Sequence, residues 1–391
     1  MHPNSFQHLM NLVSKPSAVM VRGAGAFLWD ENGKRYLDFV QGWAVNALGH
    51  CPAELAAALA RQATELLSAS PAYHNKTALE LGARLAAVSG LDKVFLASTG
   101  AEANEGAIKL ARKWGKLHRG GAFEIVTTLG GFHGRTLATM AATGKPGWET
   151  MFPPAVPGFV KVPYGDAAAV ETVIGPNTVA VMVEPIQGEA GVVVPPDGYM
   201  RRLRDLTERH GILLIADEVQ TGMGRTGTLF AHQHEDVQVD VMTLGKGLGG
   251  GIPLAALLAS ERAACFGHGE QGGTFVGNAF TAAAGLAVLD AVTTDGFLAE
   301  VVARGVRLEA GLHALAPSIA EVRGRGLLVA ARLDTPRAEH VRDVAFDLGL
   351  LVNAVRPDTL RFMPPLNVTN DEIDEMLGLL ADALRATRAN G

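Results

Sequence analysis

Apolar residues along the chain alternate between two kinds of pattern. Short and nearly continuous apolar runs, bounded by glycine, proline or aspartate, are typical of strands that are buried on both faces. Seven such runs lie at residues 93–98, 124–129, 160–163, 179–184, 212–216, 241–244 and 254–259. Stretches with helical spacing of apolar residues, such as 101–117 and 199–210, separate several of these runs. The alternation predicts an α/β fold with a mostly parallel, doubly wound sheet.

The segments on either side of this region have a different order. Residues 26–39 contain two apolar-aromatic runs around Asn32-Gly33, which is a strong signal for a hairpin. A long apolar helix is predicted at 279–292, and further helical segments follow it. Short strands are then predicted at 326–333, 350–353 and 360–363, and a final helix at 371–387. We therefore expect an N-terminal segment that packs with a small α+β C-terminal domain, and a large domain between them. These three parts span residues 1–45, 281–391 and 46–280.

Composition and charge narrow the class of protein. The chain has 391 residues, of which 48% are hydrophobic and 19% charged, and this excludes a disordered chain. Its net charge is −6 and it has no strongly basic run, so we expect no nucleic-acid or membrane partner. No secretory signal is visible. The chain has two cysteines, Cys51 and Cys265, which are too few for disulfides to stabilise a chain of this size. A cytoplasmic protein is therefore expected.

Glycine clusters and strand ends indicate where chemistry could occur. Glycine makes up 46 of the 391 residues and gathers at turns, where the backbone can approach a phosphate closely. Ser98-Thr99-Gly100-Ala101 follows a predicted strand and begins a helix, so its free N–H groups could bind an anion. A helix cap without any ligand explains the same residues equally well.

Two carboxylates, Asp217 and Glu218, end the apolar run GILLIAD. Adjacent residues of a strand point to opposite sides, and a buried carboxylate needs a partner to offset its desolvation. Taken alone, this pair favours a structural ion pair slightly over a catalytic role.

Lys246 stands out because every other residue with a permanent positive charge after residue 162 is an arginine. It is the only lysine between residues 162 and 391, and it lies in a glycine-rich turn after a predicted buried strand. Lysine can deprotonate and act as a nucleophilic amine, whereas arginine cannot. We therefore favour a functional lysine over a surface one.

Two other motifs are rejected. Gly245-x-Gly247-x-x-Gly250 matches a dinucleotide-binding fingerprint, but a strand-like run rather than a helix follows it. His232 and His234 lie in a polar loop without a second cluster of ligands, so we predict no metal site there.

The phosphate-type turn, the strand-end carboxylate and the turn lysine together fit one cofactor, pyridoxal phosphate. The phosphate would lie at residues 99–101, Lys246 would hold the aldehyde through its amine, and Asp217 would keep the ring nitrogen protonated. Each feature alone is ambiguous, but the combination is far more specific.

At this level of detail the chain resembles the class III (subgroup II) pyridoxal-phosphate-dependent aminotransferases of fold type I, and among them the acetylornithine and ornithine aminotransferases. The resemblance covers nearly the whole chain. It is carried by the segments WDENGKRYLDF, STGAEANEGAIKLARK, FHGRTL, EPIQGEAGVV, ADEVQTGMGRTG, TLGKGLGGGIP and LRFMPPLNVT.

The resemblance implies a set of cofactor contacts. Lys246 would bind the cofactor and move the substrate proton, and Asp217 would pair with the ring nitrogen. The ring would contact Gln220 at its hydroxyl side and lie between Val219 and Phe132. The phosphate would be bound by Thr99, Gly100 and Ala101, and by Thr274 of the neighbouring subunit. This last contact implies a homodimer whose active site is shared across the interface.

The resemblance also implies which residues bind the substrates. Arg361 would bind the α-carboxylate of glutamate or 2-oxoglutarate, and Arg135 the distal carboxylate. Glu189 would act as a gate that pairs with Arg361 when the ω-amine donor binds and swings away for glutamate. A structural salt bridge is the alternative for each arginine.

The chain departs from the family pattern at three places. Thr99 stands where serine is more usual, residues 274–280 read TFVGNAF instead of TFGGNPL, and residues 70–75 read SPAYHN. These differences leave the identity of the amino donor open.

The predicted reaction moves the terminal amine of an ornithine-like donor, foremost N-acetylornithine, to 2-oxoglutarate, giving the semialdehyde and glutamate. Ornithine, 4-aminobutyrate or another ω-amino acid is the alternative donor. An aminomutase or decarboxylase is disfavoured because Arg361 and Glu189 are both present. A non-catalytic binding protein is disfavoured because Lys246 and Asp217 are both present.

Overall fold

The computed structural model describes residues 8–10, 12–13 and 16–389. The strands, in chain order β1 to β15, are Met20–Ala24, Phe27–Asp30, Arg35–Asp38, Lys93–Ala97, Glu124–Thr128, Phe159–Val162, Thr178–Val183, Leu213–Asp217, Val241–Leu244, Ala255–Ala259, Ile319–Arg325, Leu328–Leu333, Leu350–Leu351, Asn353–Arg356 and Thr359–Phe362. The helices, α1 to α12, are Gln41–Ala44, Ala53–Glu65, Lys76–Ser89, Gly100–His118, Leu137–Ala142, Trp148–Met151, Ala167–Val173, Tyr199–Arg209, Ala279–Val292, Phe297–His313, Ala338–Asp347 and Asn370–Ala389.

A seven-stranded sheet in the order β4-β10-β9-β8-β7-β5-β6 forms the centre of the fold. Strands β9, β8, β7, β5 and β6 pair in parallel, and β10 runs antiparallel to both of its neighbours. The mostly parallel α/β sheet is therefore confirmed. Each of the seven predicted strands matches one of these strands to within one residue at either end.

Both faces of this sheet are covered, which explains the continuous apolar runs. On β8, Leu213 and Ile215 pack in one apolar cluster with α4, whereas Leu214 and Ala216 pack in another on the opposite face. Successive strand residues point to opposite faces, so every position of β8 is buried.

Two smaller sheets flank the centre. In one, the hairpin β2–β3 forms as predicted, β1 pairs with β2, and β13 joins β3 in parallel. In the other, β11, β12, β15 and β14 form an antiparallel sheet against which α10 and α11 pack. The predicted strand at 350–353 is thus two strands in different sheets.

The sequence-based assignment missed β1 and β11 for a shared reason. Both are edge strands with polar residues, MVRGA and IAEVRGR, and few of their residues are buried. They lack the apolar runs on which the prediction depended.

The division into residues 1–45, 46–280 and 281–391 stays a prediction. Helix α9 packs against α2 and α3, and β13 links the C-terminal part to the N-terminal hairpin. Residues 1–7, 11, 14–15 and 390–391 lie outside the described part of the chain. Within the described part, no helix is both long and apolar enough to cross a membrane.

Candidate active site

A cavity of about 280 Å³ lies at the carboxyl ends of β8 and β9, beside the first turn of α4. This is the edge of an open α/β sheet at which ligands bind. The structure brings eight of the twelve predicted site residues to its lining: Gly100, Ala101, Phe132, Arg135, Asp217, Val219, Gln220 and Lys246. The lining also includes three polar residues that the sequence analysis did not single out, Asn104, His133 and Glu184.

The first turn of α4 combines a helix cap with free donors. The hydroxyl of Thr99 accepts from the N–H of Glu102, whose carboxylate accepts from the N–H of Thr99 and of Ser98. In the described structure, the N–H groups of Gly100 and Ala101 donate to no protein atom. The segment is therefore a cap and also offers two unused donors to an anion.

Gly100 is required by close packing at this turn. A Cβ atom at this position would lie 2.7 Å from Cγ1 of Val219. The same Val219 would lie 3.2 Å from a Cβ at Gly245, so the α4 turn and the Lys246 turn approach each other across it.

Asp217, the last residue of β8, is fully buried and held by neutral and imidazole groups. Its Oδ2 accepts from Nδ2 of Asn104 at 2.8 Å and lies 2.7 Å from Nδ1 of His133. Its Oδ1 accepts from the N–H of Val219 at 3.1 Å. Burial lowers the pKa of His133, but the hydrogen bond and charge of Asp217 outweigh it, so the net shift is upward.

Glu218 points away from this cluster. Its carboxylate lies 2.9 Å from Nδ1 of His232 and accepts from the N–H groups of Ala231 and His232. Glu218 thus has structural hydrogen-bond partners, whereas Asp217 faces the cavity. His234 is bound separately, at the carbonyl and hydroxyl of Thr226.

Lys246 follows β9 directly, after Gly245, and has a positive φ of 41° in a short 3₁₀ helix, Lys246–Gly249. No α-helix begins at this turn, which confirms the rejection of the dinucleotide fingerprint. Burial lowers the pKa of the Lys246 amine, and the charge of Arg361 lowers it further, against the opposing effect of nearby carboxylates. A lowered pKa increases the fraction of neutral, nucleophilic amine.

Arg361 lies fully buried on β15 and has four polar contacts. Its Nη2 donates to Oε1 of Glu189 at 2.8 Å and to Oδ1 of Asn353 at 2.8 Å. Its Nε also donates to Asn353, and its Nη1 donates to Oε1 of Gln220 at 3.2 Å. The second oxygen of Glu189 accepts from Nζ of Lys145 at 3.1 Å.

The charge of Glu189 is strongly stabilised. Burial raises the pKa of Glu189, but the positive charges of Arg361 and Lys145 outweigh it and lower the pKa to about 2. Nε2 of Gln220, on the other side of Arg361, is buried and has no partner in the described structure. This unused donor points to a missing acceptor in the cavity.

Two residues of the cavity lining, Phe132 and Arg135, contact the ring of Trp148. The rings of Phe132 and Trp148 meet edge to face with centroids 5.8 Å apart, and the guanidinium of Arg135 lies 5.0 Å from the Trp148 centroid. Arg135 is exposed and forms no ion pair within the described residues. The N–H of Phe132 donates to Glu184, whose pKa burial raises to about 7.

Thr274 lies apart from this cavity in the same chain. It is exposed, in a loop next to Asn278, and does not line the cavity. This loop contacts the other unusual segment, because Nδ2 of Asn75 donates to the carbonyl of Gly277 at 2.7 Å. Both segments border an open pocket of about 440 Å³.

Comparison with known proteins identifies the family. The sequence model described as "Aminotransferase class-III" matches residues 10–384. The chain belongs to the class-III aminotransferases. It is 54% identical over 385 residues to acetylornithine aminotransferase 2 of Bordetella pertussis, with 97% of each chain covered. It is 47% identical over 380 residues to the acetylornithine aminotransferase of Streptomyces coelicolor, covering 96% of this chain and 93% of that one.

Solved structures give the same result. The ornithine aminotransferase of Toxoplasma gondii superposes with a TM-score of 0.94 at 33% identity, covering 98% of this chain and 94% of that one. The N-acetylornithine aminotransferase of Stenotrophomonas maltophilia has a TM-score of 0.85 at 37% identity, with 96% and 98% covered. The fold is therefore that of the fold type I aminotransferases.

The residues of this class-III aminotransferase fit the family's cofactor, pyridoxal phosphate. The free N–H groups at the start of α4 suit its phosphate, and the unpartnered Nε2 of Gln220 suits an oxygen acceptor. The buried carboxylate of Asp217 and the amine of Lys246 line the same cavity. The chain is accordingly a pyridoxal-phosphate-dependent transaminase.

Four residues that shape this site were missed from the sequence. Asn104 and His133 hold Asp217, Glu184 holds the backbone of Phe132, and Lys145 binds Glu189. Two of them left a readable signal. Asn104 is a polar residue on the otherwise apolar buried face of α4, and Glu184 directly follows the buried strand β7.

Proposed function

We propose that this chain transfers the terminal amino group of N-acetylornithine to 2-oxoglutarate, giving the semialdehyde and glutamate, in arginine biosynthesis. The observation that carries the proposal is the Glu189–Arg361 ion pair beside Lys246. Arg361 is a buried carboxylate-binding group whose charge is neutralised by the carboxylate of Glu189. Such a site can accept an ω-amine while the pair is closed and an α-amino acid once it opens. The names of the curated relatives support N-acetylornithine as the donor.

Residues of this chain are assigned to the cofactor on the geometry of the cavity. Lys246 binds the cofactor through its amine and carries the proton removed from the substrate carbon, and Asp217 holds a proton on the ring nitrogen. The bound cofactor supplies an electron sink for the negative charge that develops on that carbon. Gln220 donates to the ring hydroxyl. The remaining contacts are Val219 and Phe132 on the ring faces and Thr99, Gly100 and Ala101 at the phosphate.

Three charged residues are assigned to the substrates. Arg361 binds the α-carboxylate of glutamate or 2-oxoglutarate, and Glu189 covers it when the ω-amine donor is bound. Arg135 binds the distal carboxylate, since it is exposed at the cavity and has no ion pair in the described structure.

The catalytic unit is proposed to be a homodimer, in which Thr274 binds the phosphate at the neighbouring subunit's site. Large apolar side chains are exposed around the loops at 70–75 and 274–280, with Tyr73 73% and Phe275 70% exposed. Exposed apolar groups concentrated at one place favour a protein interface. Thr274 has no role at the cavity of its own chain, which is consistent with a role at the partner's.

A cytoplasmic location is proposed because Cys51 and Cys265 are both free thiols. Reduced cysteines are typical of the cytosol.

The second candidate is an aminotransferase for ornithine itself or for 4-aminobutyrate. The high structural similarity to the Toxoplasma gondii ornithine aminotransferase favours ornithine among these. An aminomutase or decarboxylase needs no oxo-acid substrate and so does not account for the Glu189–Arg361 pair.

The deciding experiment is a visible spectrum of the purified holoenzyme, titrated with N-acetylornithine, ornithine, 4-aminobutyrate and glutamate in turn. We expect the absorbance band of the lysine-bound cofactor to disappear with glutamate and with N-acetylornithine at the lowest concentrations. Lys246→Ala is the control, because it cannot form this band or turn over. If the band persists with glutamate, Arg361 does not bind the carboxylate of glutamate. If the band responds more strongly to ornithine, the donor is ornithine and not N-acetylornithine.

A further inference from the structure

Glu189 is shared between two cations rather than one. Its Oε1 accepts from Arg361 at 2.8 Å, and its Oε2 accepts from Lys145 at 3.1 Å. The side chains of Glu189 and Lys145 are 26% and 25% exposed, so the second pair is partly shielded from water. Each carboxylate oxygen is thus occupied by a different positive group.

Lys145 is held in place independently of Glu189. Its Nζ lies 4.9 Å from the ring centroid of Phe132 and 5.2 Å from that of Trp148. An ammonium group over aromatic faces is attracted by their negative charge distribution. Lys145 therefore remains beside the gate when Glu189 changes partner.

Arg361 and Glu189 differ in the polar partners that remain to them once their ion pair is broken. Arg361 keeps Asn353 and Gln220 as acceptors, so its guanidinium stays oriented without Glu189. Once Glu189 leaves Arg361, Lys145 is the one cation still bonded to it among the described contacts. A partly buried carboxylate without a cation is costly.

We propose that Lys145 is a positioning residue that holds Glu189 away from Arg361 and thereby favours binding of the dicarboxylate substrate. This role of Lys145 rests on the proposed function, because it assumes that Arg361 binds the α-carboxylate of glutamate or 2-oxoglutarate. While the gate is closed, Lys145 shares Glu189 with Arg361. When the gate opens, both oxygens of Glu189 become available to Lys145, and Arg361 is free for the substrate.

A direct contact between Lys145 and a substrate carboxylate is the competing assignment. Lys145 is already engaged by Glu189, whereas Arg135, which also contacts the Trp148 ring, is exposed and forms no ion pair in the part of the chain that is described. Arg135 is therefore the better ligand for the distal carboxylate. The two assignments give different results when Glu189 is removed.

The test uses Lys145→Gln in the holoenzyme. Calorimetric titration with 2-oxoglutarate should show a dissociation constant raised about fivefold, the value of one partly exposed ion pair. KM for glutamate should rise by the same factor with kcat unchanged, and KM for N-acetylornithine should stay the same because that substrate uses the closed gate. Lys145→Arg should restore both constants. Lys93→Gln is the matched control, because it removes a lysine that is also 3.1 Å from its glutamate but lies on the surface.

The same substitution in a Glu189→Ala background separates positioning from direct binding. There, Lys145→Gln should cause no further change in the 2-oxoglutarate dissociation constant. A persisting fivefold loss would assign Lys145 to the substrate itself and overturn the proposal, as would an equal rise in both KM values. If the wild-type holoenzyme neither reacts with glutamate nor binds 2-oxoglutarate, the proposed function fails and the role of Lys145 with it. A normal wild type with an unaltered Lys145→Gln variant overturns the role of Lys145 alone.

Discussion

At the scale of single residues, the carboxylate of Asp217 depends on donors that come from other elements. Asn104 on α4 donates to Asp217 and to the carbonyl of His133, and it accepts from the hydroxyl of Thr243. Removing it leaves a buried carboxylate, a carbonyl and a hydroxyl with fewer partners. Unsatisfied buried groups of this kind are expensive.

We expect Asn104→Ala to lower the free energy of unfolding of the cofactor-free protein by about 2–4 kcal/mol. The cofactor should also dissociate more readily, because Asp217 is no longer fixed. Urea unfolding and the cofactor dissociation constant measure the two effects. Asn367→Ala is the control, since Asn367 makes one longer bond of 3.3 Å to Leu48. Equal losses in the two variants would contradict the role given to Asn104.

Glu184 makes stability depend on pH. Burial raises its pKa to about 7, the charge of Asp217 adds to the rise, and the charge of His133 opposes it. Between the unfolded value of 4.5 and about 7, the native state keeps a proton that the unfolded chain releases. Stability therefore falls as pH rises through this interval, by at most about 3 kcal/mol. In Glu184→Gln the amide oxygen can still accept from Phe132, but the group no longer titrates.

Urea unfolding of the cofactor-free protein at pH values of about 5.5 and 8 tests this. The stability of Glu184→Gln relative to the wild type should increase from the lower to the higher pH, because the wild type loses more of its stability as pH rises. Glu189→Gln is the opposite case, because the depressed pKa of Glu189, about 2, contributes stability that is lost only as pH falls below 4.5. Glu189→Gln should therefore change the free energy of unfolding by the same amount at both pH values. A wild-type slope unchanged by Glu184→Gln would exclude Glu184 as its source.

From the residues alone, the sequence predicted two site residues at strand ends, Asp217 and Lys246, but it missed Glu184, which follows β7, and the contact between Lys145 and Glu189. Asp217 and Lys246 end or follow apolar runs, so their place at one sheet edge follows from the parallel order. Lys145 and Glu189 are 44 residues apart, and nothing local links them. His133 was overlooked because a single histidine between Phe132 and Gly134 has no pattern of its own.

At the scale of elements, prediction succeeded where burial is two-sided and failed at polar edges. Strands β7 and β8 are buried at every position, and their apolar runs have nearly the same bounds as the strands. Strand β11 pairs on one side only, and its residues are mostly half-buried. The hairpin was recognised by its turn, but its parallel partner β13 has only two residues and depends on long-range pairing.

Helix α4 shows how one glycine permits the packing of an element. A Cβ at Gly115 would lie 2.0 Å from the carbonyl oxygen of Ala122 and 2.8 Å from Cγ2 of Val179. A backbone oxygen cannot move aside as a flexible side chain can. We expect Gly115→Ala to lower the free energy of unfolding by about 2–3 kcal/mol or more.

The matched control is Gly378→Ala in the exposed interior of α12. No atom lies within 4 Å of a Cβ at that position. Since alanine restricts the unfolded chain and favours helix, this substitution should stabilise the protein by about 0.5–1 kcal/mol. Opposite signs in urea unfolding are therefore expected. If both variants were stabilised, helix α4 would not lie against Ala122 as described.

At the scale of the whole molecule, the proposed homodimer concerns a contact that a single chain does not contain. The loop that carries Thr274 and the segment at 70–75 contact each other and expose Tyr73 and Phe275. No pattern in the sequence shows which site Thr274 serves, because a contact between subunits has no signature in one chain. The two arrangements, within a chain or across a dimer, nevertheless predict different behaviour in mixtures.

Complementation between two defective variants, assayed at limiting cofactor, distinguishes these arrangements. Lys246→Ala dimers have no catalytic amine, and Thr274→Ala dimers should bind the phosphate weakly and be poorly active at limiting cofactor. In a mixed dimer with sites shared across the interface, one site combines both defects, and the other combines the intact Lys246 with the intact Thr274. Mixing after mild dissociation should then restore about a quarter of wild-type activity, because half of the dimers are mixed and each has one intact site.

If Thr274 served its own chain, every site in a mixed dimer would keep one defect, and mixing would restore nothing. Sedimentation of the mixture confirms that subunits have exchanged, and mixing each variant with itself gives the baseline. A Thr274→Ala dimer with full activity at limiting cofactor would remove Thr274 from the phosphate site altogether. Recovery on mixing requires both the exchange of subunits and a phosphate contact across the interface, so it tests the dimer and the shared site in one measurement.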